Sequence, residues 1–185
     1  DKETRGHSER VSNLASDLAQ ALQMPNDQIE LIRTAGLFHD IGKIGVPDSI
    51  LLKNGPLTDD EFREIQNHPI MGENILITYA PLKAALPIIR SHHERYDGRG
   101  YPDKLSGDEI CLGARIIAVA DSFDAMISNR TYRLGLGLEK TLQELQRGKG
   151  TQFDPYIIDA FFSMIDRMGK EAFHALYCSH ATPHR

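Results

Sequence analysis

Val11, Leu14, Leu18 and Leu22 recur at helical spacing and give a first helix one apolar face. The break Met24-Pro25-Asn26-Asp27 ends it, and Asp27, with Glu30 three residues on, is read as the cap of a second helix. That helix carries Ile29, Ile32, Ala35 and Gly36 toward His39 and Asp40. Residues 41–57 (IGKIGVPDSILLKNGPL) lose the period, and their Gly and Pro content predicts a long loop with room for one short turn. Thr58 opens T-D-D-E, a capping box for a short helix ending near His68, and Pro69 suits the first turn of the next, through Leu76. Residues 82–94 read as a helix kinked at Pro87, residues 97–102 (DGRGYP) as a loop, and Ser106 as another helix start. Residues 113–127 (GARIIAVADSFDAMI) form a strongly apolar, buried helix, and two more helices are expected near 138–147 and 154–168. With no alternating apolar–polar stretch of any length, the fold class is an all-α bundle with a long Gly/Pro loop after His39-Asp40.

Several polar residues fall where this pattern expects core. His7 lies on the face of Val11, His39 and Asp40 end one apolar helix, and His92 and His93 end another. Asp121 sits inside the most apolar helix of the chain, where a lone ionised carboxylate would cost several kcal/mol of desolvation. It needs a compensating cation, yet the nearest basic residue on its helix, Arg115, is six positions back. Any one of these residues has an ordinary structural explanation, since a single inward histidine is commonly a satisfied core residue. Five of eight histidines placed this way, with two acids beside them, make a set that such explanations do not cover.

Imidazole and carboxylate ligands suit Zn, Mn, Fe, Ni or Co. The candidates are too many for one tetrahedral ion, and with Asp40 free to bridge they suggest two. Paired metals about 3.5–4 Å apart are a recurrent device for phosphodiester hydrolysis, because they clamp the phosphate and activate water. Glu3 shares a helix face with His7 and could join the same centre, making room for a third ion. Lys43, three residues after His39-Asp40 in H-D-I-G-K, lies in a loop that could fold back over the metals and could bind a phosphate oxygen. Arg130 and Arg133 could hold a second phosphate, or complement a helix C-terminus.

Composition narrows the classes further. The 185 residues suit one domain, spanning 1–185, and 41% apolar with 25% charged residues is ordinary for a globular protein. A net charge of −5 argues against general nucleic-acid binding, whereas an anionic substrate is compatible if bound metal reverses the local charge. No apolar run of about 18 residues marks a membrane span, and no signal peptide is visible. Cys111 and Cys178 are far apart, form no ligand motif and read as reduced thiols, consistent with a cytoplasmic setting. The chain opens at Asp1 without Met and reads as a piece of a longer protein.

The segments E-T-R-G-H-S-E-R-V (3–11), H-D-I-G-K-I-G-V-P-D (39–48), H-P (68–69), H-H-E-R-Y-D-G-R-G-Y-P (92–102), A-D-S-F-D-A-M (120–126), N-R-T-Y-R (129–133) and G-T-Q-F-D-P (150–155) resemble, in order, those of the HD-GYP subgroup of HD-domain phosphohydrolases. The resemblance implies an all-helical fold with a bi- or trinuclear centre of divalent transition metals, Fe or Mn ahead of Ni, Zn or Co. By matching positions it implies His7, His39, Asp40, His68, His92, His93 and Asp121 as ligands, Asp40 as the bridge, and Glu3 as the mark of a three-metal variant. Lys43 would contact the scissile phosphate, Arg130 and Arg133 the substrate's phosphates, and Gly100 and Tyr101 would line the substrate pocket. Asp124 matches a position that either supports a ligand or serves as a base. The implied activity is hydrolysis of cyclic di-GMP to linear pGpG and onward to GMP in some members, with cyclic GMP-AMP the substrate of others. The implied partners are an N-terminal sensor or receiver domain and other signalling proteins. The rival readings are a catalytically weak receptor or interaction module, and a general HD-type nucleotidase. The chain departs from the usual D-R-P-Y-R at Asn129 and Thr131.

Overall fold

The computed structural model describes residues 2–53, 55–129 and 135–179, with side chains from Gly6 onward. Among the described residues ten α-helices follow one another: α1 Lys2–Ala21, α2 Asn26–Phe38, α3 Asp48–Leu51, α4 Asp59–Gln66, α5 His68–Leu76, α6 Leu86–Ser91, α7 Leu112–Ile127, α8 Leu138–Gly148, α9 Pro155–Met168 and α10 Lys170–Tyr177. The described residues pair as strands only in two isolated bridges, Asp97 with Ser106 and Lys149 with Phe153. The fold is all-helical, as the pattern predicts.

The most apolar helix becomes the axis of the bundle. On α7, Ile116, Ile117, Val119, Ala120 and Phe123 are essentially inaccessible, and α1, α6, α8 and α9 pack around them. The apolar face read on α1 is buried at Val11, Leu14 and Leu18. Phe123, Phe161 and Phe173 meet as tilted and edge-on rings 5.5–5.7 Å apart, and burying each ring stabilises the fold by about 1.5–3 kcal/mol. Tyr177 closes this end by donating its hydroxyl to the Asp17 carboxylate of α1.

Local signals hold in most places. Thr58 caps α4 with the full reciprocal box to Glu61, and Pro69 occupies the first turn of α5, where its missing N–H costs nothing. Elsewhere the structure departs from the pattern. Helix α2 begins at Asn26 after Pro25, so Asp27 lies inside the first turn and makes no capping bond. The predicted 82–94 helix is a 3-10 turn over Ala80–Ala85 followed by α6, because Pro81 and Pro87 each suit a first turn and neither suits a helix interior. The 41–57 loop contains a 3-10 turn over Ile41–Gly45 and the short α3. The start read at Ser106 gives only one 3-10 turn, Gly107–Glu109, and α10 lies beyond the last predicted helix.

One close approach sets the floor of the site. A Cβ on Gly42 would lie 1.8 Å from the His68 carbonyl oxygen and 2.5 Å from the Gly72 nitrogen. Only glycine lets the turn after His39-Asp40 lie directly on the start of α5. Among the described residues no helix is long and apolar enough to cross a membrane.

Candidate metal centre

Five stretches of chain converge on one site. They supply His7 from α1, His39 and Asp40 from the end of α2, His68 from the first position of α5, His92 and His93 just after α6, and Asp121 from the middle of α7. Their ligand atoms form two groups, Asp40, His68, His92 and His93 in one and His7, His39 and Asp121 in the other, with all atoms of a group within 4.8 Å of each other. Asp40 belongs to both in practice. Its Oδ1 lies 3.3 Å from His68 Nε2, while its Oδ2 lies 3.4 Å from His39 Nε2 and 3.8 Å from His7 Nε2. Asp121 Oδ1 lies 3.2 Å from His7 Nε2 and 3.9 Å from His39 Nε2.

The helix ends orient the rings. Nδ1 of His39, His68 and His92 donates to the carbonyl three residues earlier, on Gly36, Ile65 and Ile89, at 2.6–2.7 Å. A neutral imidazole that donates from Nδ1 keeps a lone pair on Nε2, and all three Nε2 atoms face the centre. His7 is held differently. Its Nδ1 meets Asp124 Oδ2 at 2.7 Å, and Arg10 grips the same carboxylate from Nε at 2.6 Å and from a terminal nitrogen at 2.9 Å. Asp124 thus stands on the far side of the His7 ring from Asp40 and Asp121. Carboxylate–histidine pairs of this kind orient metal-binding rings and raise their basicity.

The electrostatics match an ion-binding cavity. Burial opposes ionisation of Asp40, but His39, Lys43 and His68 hold its carboxyl well below the usual range. Burial likewise works against Asp121 and Asp124, and the His7 ring above all brings both down. Burial also disfavours a charged His7, yet Asp121 and Asp124 outweigh it and lift the ring to about 9. His92 is pushed down by burial and by the neighbouring rings, and His93 by burial to about 4, so both are neutral at pH 7.

The residues fit bound cations. His39 Nε2 and Asp40 Oδ1 are buried with no hydrogen-bond partner, a costly state for two acceptors. His68 Nε2 and His92 Nε2 face each other across 3.3 Å, although Nδ1 carries the proton in both rings. Two such lone pairs repel unless a cation stands between them. Imidazole bonds of about 2.0–2.1 Å in tetrahedral array separate their nitrogens by about 3.3–3.4 Å.

Beside this centre, Lys43 donates to Asp40 Oδ2 at 2.6 Å from a partly exposed position. Tyr101 lays its ring against His93, with centroids 4.8 Å apart and planes 31° from parallel. Gly100, next to it, sits where a Cβ would be 2.3 Å from the Arg95 nitrogen. The Glu3 side chain, Arg130 and Arg133 lie outside the described residues. Arg10 and Glu94 support the site without being marked by the ligand pattern. Arg10 stands one turn after His7, a readable spacing, whereas Glu94 reveals its part only through a loop that folds back upon it.

Residues 2–157 match the family model described as HD domain, and the chain belongs to this family. It is 42% identical, over 85% of its length, to the cyclic di-GMP phosphodiesterase response regulator RpfG of Xanthomonas campestris pv. campestris, and 41% identical, over 82%, to 3'3'-cGAMP-specific phosphodiesterase 3 of Vibrio cholerae. These matches span 42% and 33% of those longer proteins. A solved structure of a cyclic GMP-AMP-specific phosphodiesterase of V. cholerae superposes with a TM-score of 0.71 at 17% identity, over 94% of this chain and 46% of that one. That likeness is one of fold.

Proposed function

We propose that this domain hydrolyses a phosphodiester bond of a cyclic dinucleotide, cyclic di-GMP first, yielding linear pGpG. The observation that carries the proposal is the pair of histidine–aspartate groups joined through the two oxygens of Asp40. Relatives about 40% identical carry the name cyclic di-GMP phosphodiesterase, which supports that substrate. A second reading, cyclic GMP-AMP as substrate, is favoured by the 41% identity to a relative named for it.

His39, Asp40, His7 and Asp121 would hold one divalent ion, and Asp40, His68, His92 and His93 another. Glu3, one turn before His7 on α1, would extend the first group toward a third ion. Iron or manganese suits this mix of imidazole and carboxylate. Such ions supply a clamp for the phosphate and water of lowered pKa. The protein's own part is orientation and charge. Asp40 ties the two groups at a set spacing, and the carbonyl-bound histidines present lone pairs without rearrangement. Lys43, at the rim, exchanges its bond to Asp40 for one to a non-bridging phosphate oxygen, where it offsets the growing charge. Arg130 and Arg133 would take the second phosphate of the substrate. Asp124 acts through His7 and not on the substrate.

Protein purified without oxygen and loaded with Fe(II) or Mn(II) tests this, with both dinucleotides offered and products separated by chromatography. Linear pGpG from cyclic di-GMP is expected, with Asp40→Ala losing metal and turnover together. An Asp40→Ala protein that keeps its metal and its rate would overturn the mechanism. Faster turnover of cyclic GMP-AMP would move the assignment to the second reading.

A further inference from the structure

Four of the five central histidines have a hydrogen bond behind them, and the fifth does not. His7 leans on Asp124, and His39, His68 and His92 lean on carbonyls. Among the described residues the His93 ring nitrogens have no hydrogen-bond partner, and the ring is held by packing alone. It lies between the His92 ring at 4.0 Å and the Tyr101 ring at 4.8 Å, with His68 edge-on at 5.0 Å. Tyr101 is the one non-ligand ring of that set. We propose that Tyr101 is a positioning residue for the metal centre, whose ring fixes the orientation of His93.

The loop is built to hold Tyr101 there. Glu94 is 3% exposed, and its carboxylate accepts the backbone N–H of Asp103 at 2.6 Å and of Leu105 at 3.1 Å. Arg90 grips Asp103 through two nitrogens at 2.7 and 2.8 Å and reaches Glu73 of α5 with a third. The Tyr101 N–H donates to the His93 carbonyl at 3.2 Å, so the loop doubles back onto its own first residues. Glycine at position 100 permits that return, since a Cβ there would strike the backbone of residues 93–95. The turn at 148–153 braces the loop from outside, as the Gln152 and Thr151 carbonyls accept from the Tyr96 and Asp97 N–H groups. This uses the G-T-Q-F-D-P segment, which the metal groups leave without a part. The order of parts is then Glu94 and the 148–153 turn to the loop, the loop to Tyr101, and Tyr101 to His93.

The inference rests on the metal-centre reading above, and its test reads metal before activity. Tyr101→Phe keeps the flat ring, while Tyr101→Ala and Tyr101→Leu remove it. Each protein is loaded with Mn(II), desalted, counted for metal per chain, and titrated with a competing chelator. Wild type and Tyr101→Phe are expected to match. Ala and Leu are expected to bind the ion of the Asp40, His68, His92 and His93 group about 10–100-fold more weakly, so that about one ion per chain is lost. Equal metal content and affinity in all four proteins, with only KM raised in Ala and Leu, would overturn the proposal and leave Tyr101 a substrate contact. Should the Ala protein misfold by circular dichroism, the Leu protein decides. A wild type that loads metal but cleaves no cyclic dinucleotide would sink the substrate assignment and leave this inference to the metal data. A wild type that binds no metal would sink both.

Discussion

In the proposed mechanism the side chain that would decide the chemistry is Asp40, because each of its oxygens faces a different set of imidazoles. Around it the protein spends backbone carbonyls and one carboxylate to keep lone pairs pointing inward. The cost of that arrangement without metal is visible in buried acceptors that have no donor. Residues standing behind the ligands should therefore matter almost as much as the ligands. Asp124→Asn keeps the shape but weakens the acceptor behind His7, and a loss of about 10–100-fold in metal affinity is expected by chelator competition. Arg10→Ala, which loosens Asp124 one step further out, should lose less. An Asp124→Asn protein with wild-type affinity would show that the His7 ring needs no such support.

At the scale of elements, the site depends on backbone segments passing unusually close. The 3-10 turn carrying Lys43 rests on the start of α5 because residue 42 has no side chain. Gly42→Ala should cost about 1–3 kcal/mol, or prevent folding, because the obstacle is the backbone of His68 and Gly72, which cannot step aside. Urea unfolding of the metal-free protein checks this. The same reasoning at Gly100 is more local. Gly100→Ala should displace the loop, weaken the Tyr101 contact and lower metal affinity, with global stability changed less than at Gly42. Equal destabilisation at both positions would contradict the view that the loop is an appendage to the bundle.

For the whole molecule, the metal-free protein should be most stable near pH 6.5. Between 6.5 and about 9 native His7 keeps a proton that the unfolded chain has released, so stability falls as pH rises. Between 6.5 and about 4 the unfolded chain takes up a proton that native His93 refuses, and His92 acts in the same sense, so stability falls as pH drops. Urea midpoints measured from pH 5 to 9 in the presence of a chelator should trace this maximum. His7→Gln should flatten the alkaline side and His93→Gln the acid side. Metal should then raise stability by mass action, about 2.7 kcal/mol at a free concentration 100 times Kd. For a chain of this size that corresponds to a Tm rise of roughly 5–10 °C. A calorimetric scan showing no rise would count against the metal centre as a whole.

The sequence by itself determined the helical period, the punctuation and the kinds of ligand. These are local or compositional matters. Thr58 with Glu61 and Pro69 act within a turn of the chain, and Asp121 stands out because an acid in an apolar helix demands a cation. The helix read across 82–94 failed where two prolines competed with an apolar pattern, and Asp27 failed as a cap where Pro25 had already set the start. Only the tertiary structure decided which oxygen of Asp40 faces which group, which ring nitrogen is free, and what stands behind each ligand. His7 and Asp124 are 117 residues apart in the chain, and Glu94 meets Asp103 and Leu105 only because a glycine lets the loop turn back. No spacing rule reaches across such distances, because the contacts are fixed by how helices pack and not by how the chain turns locally.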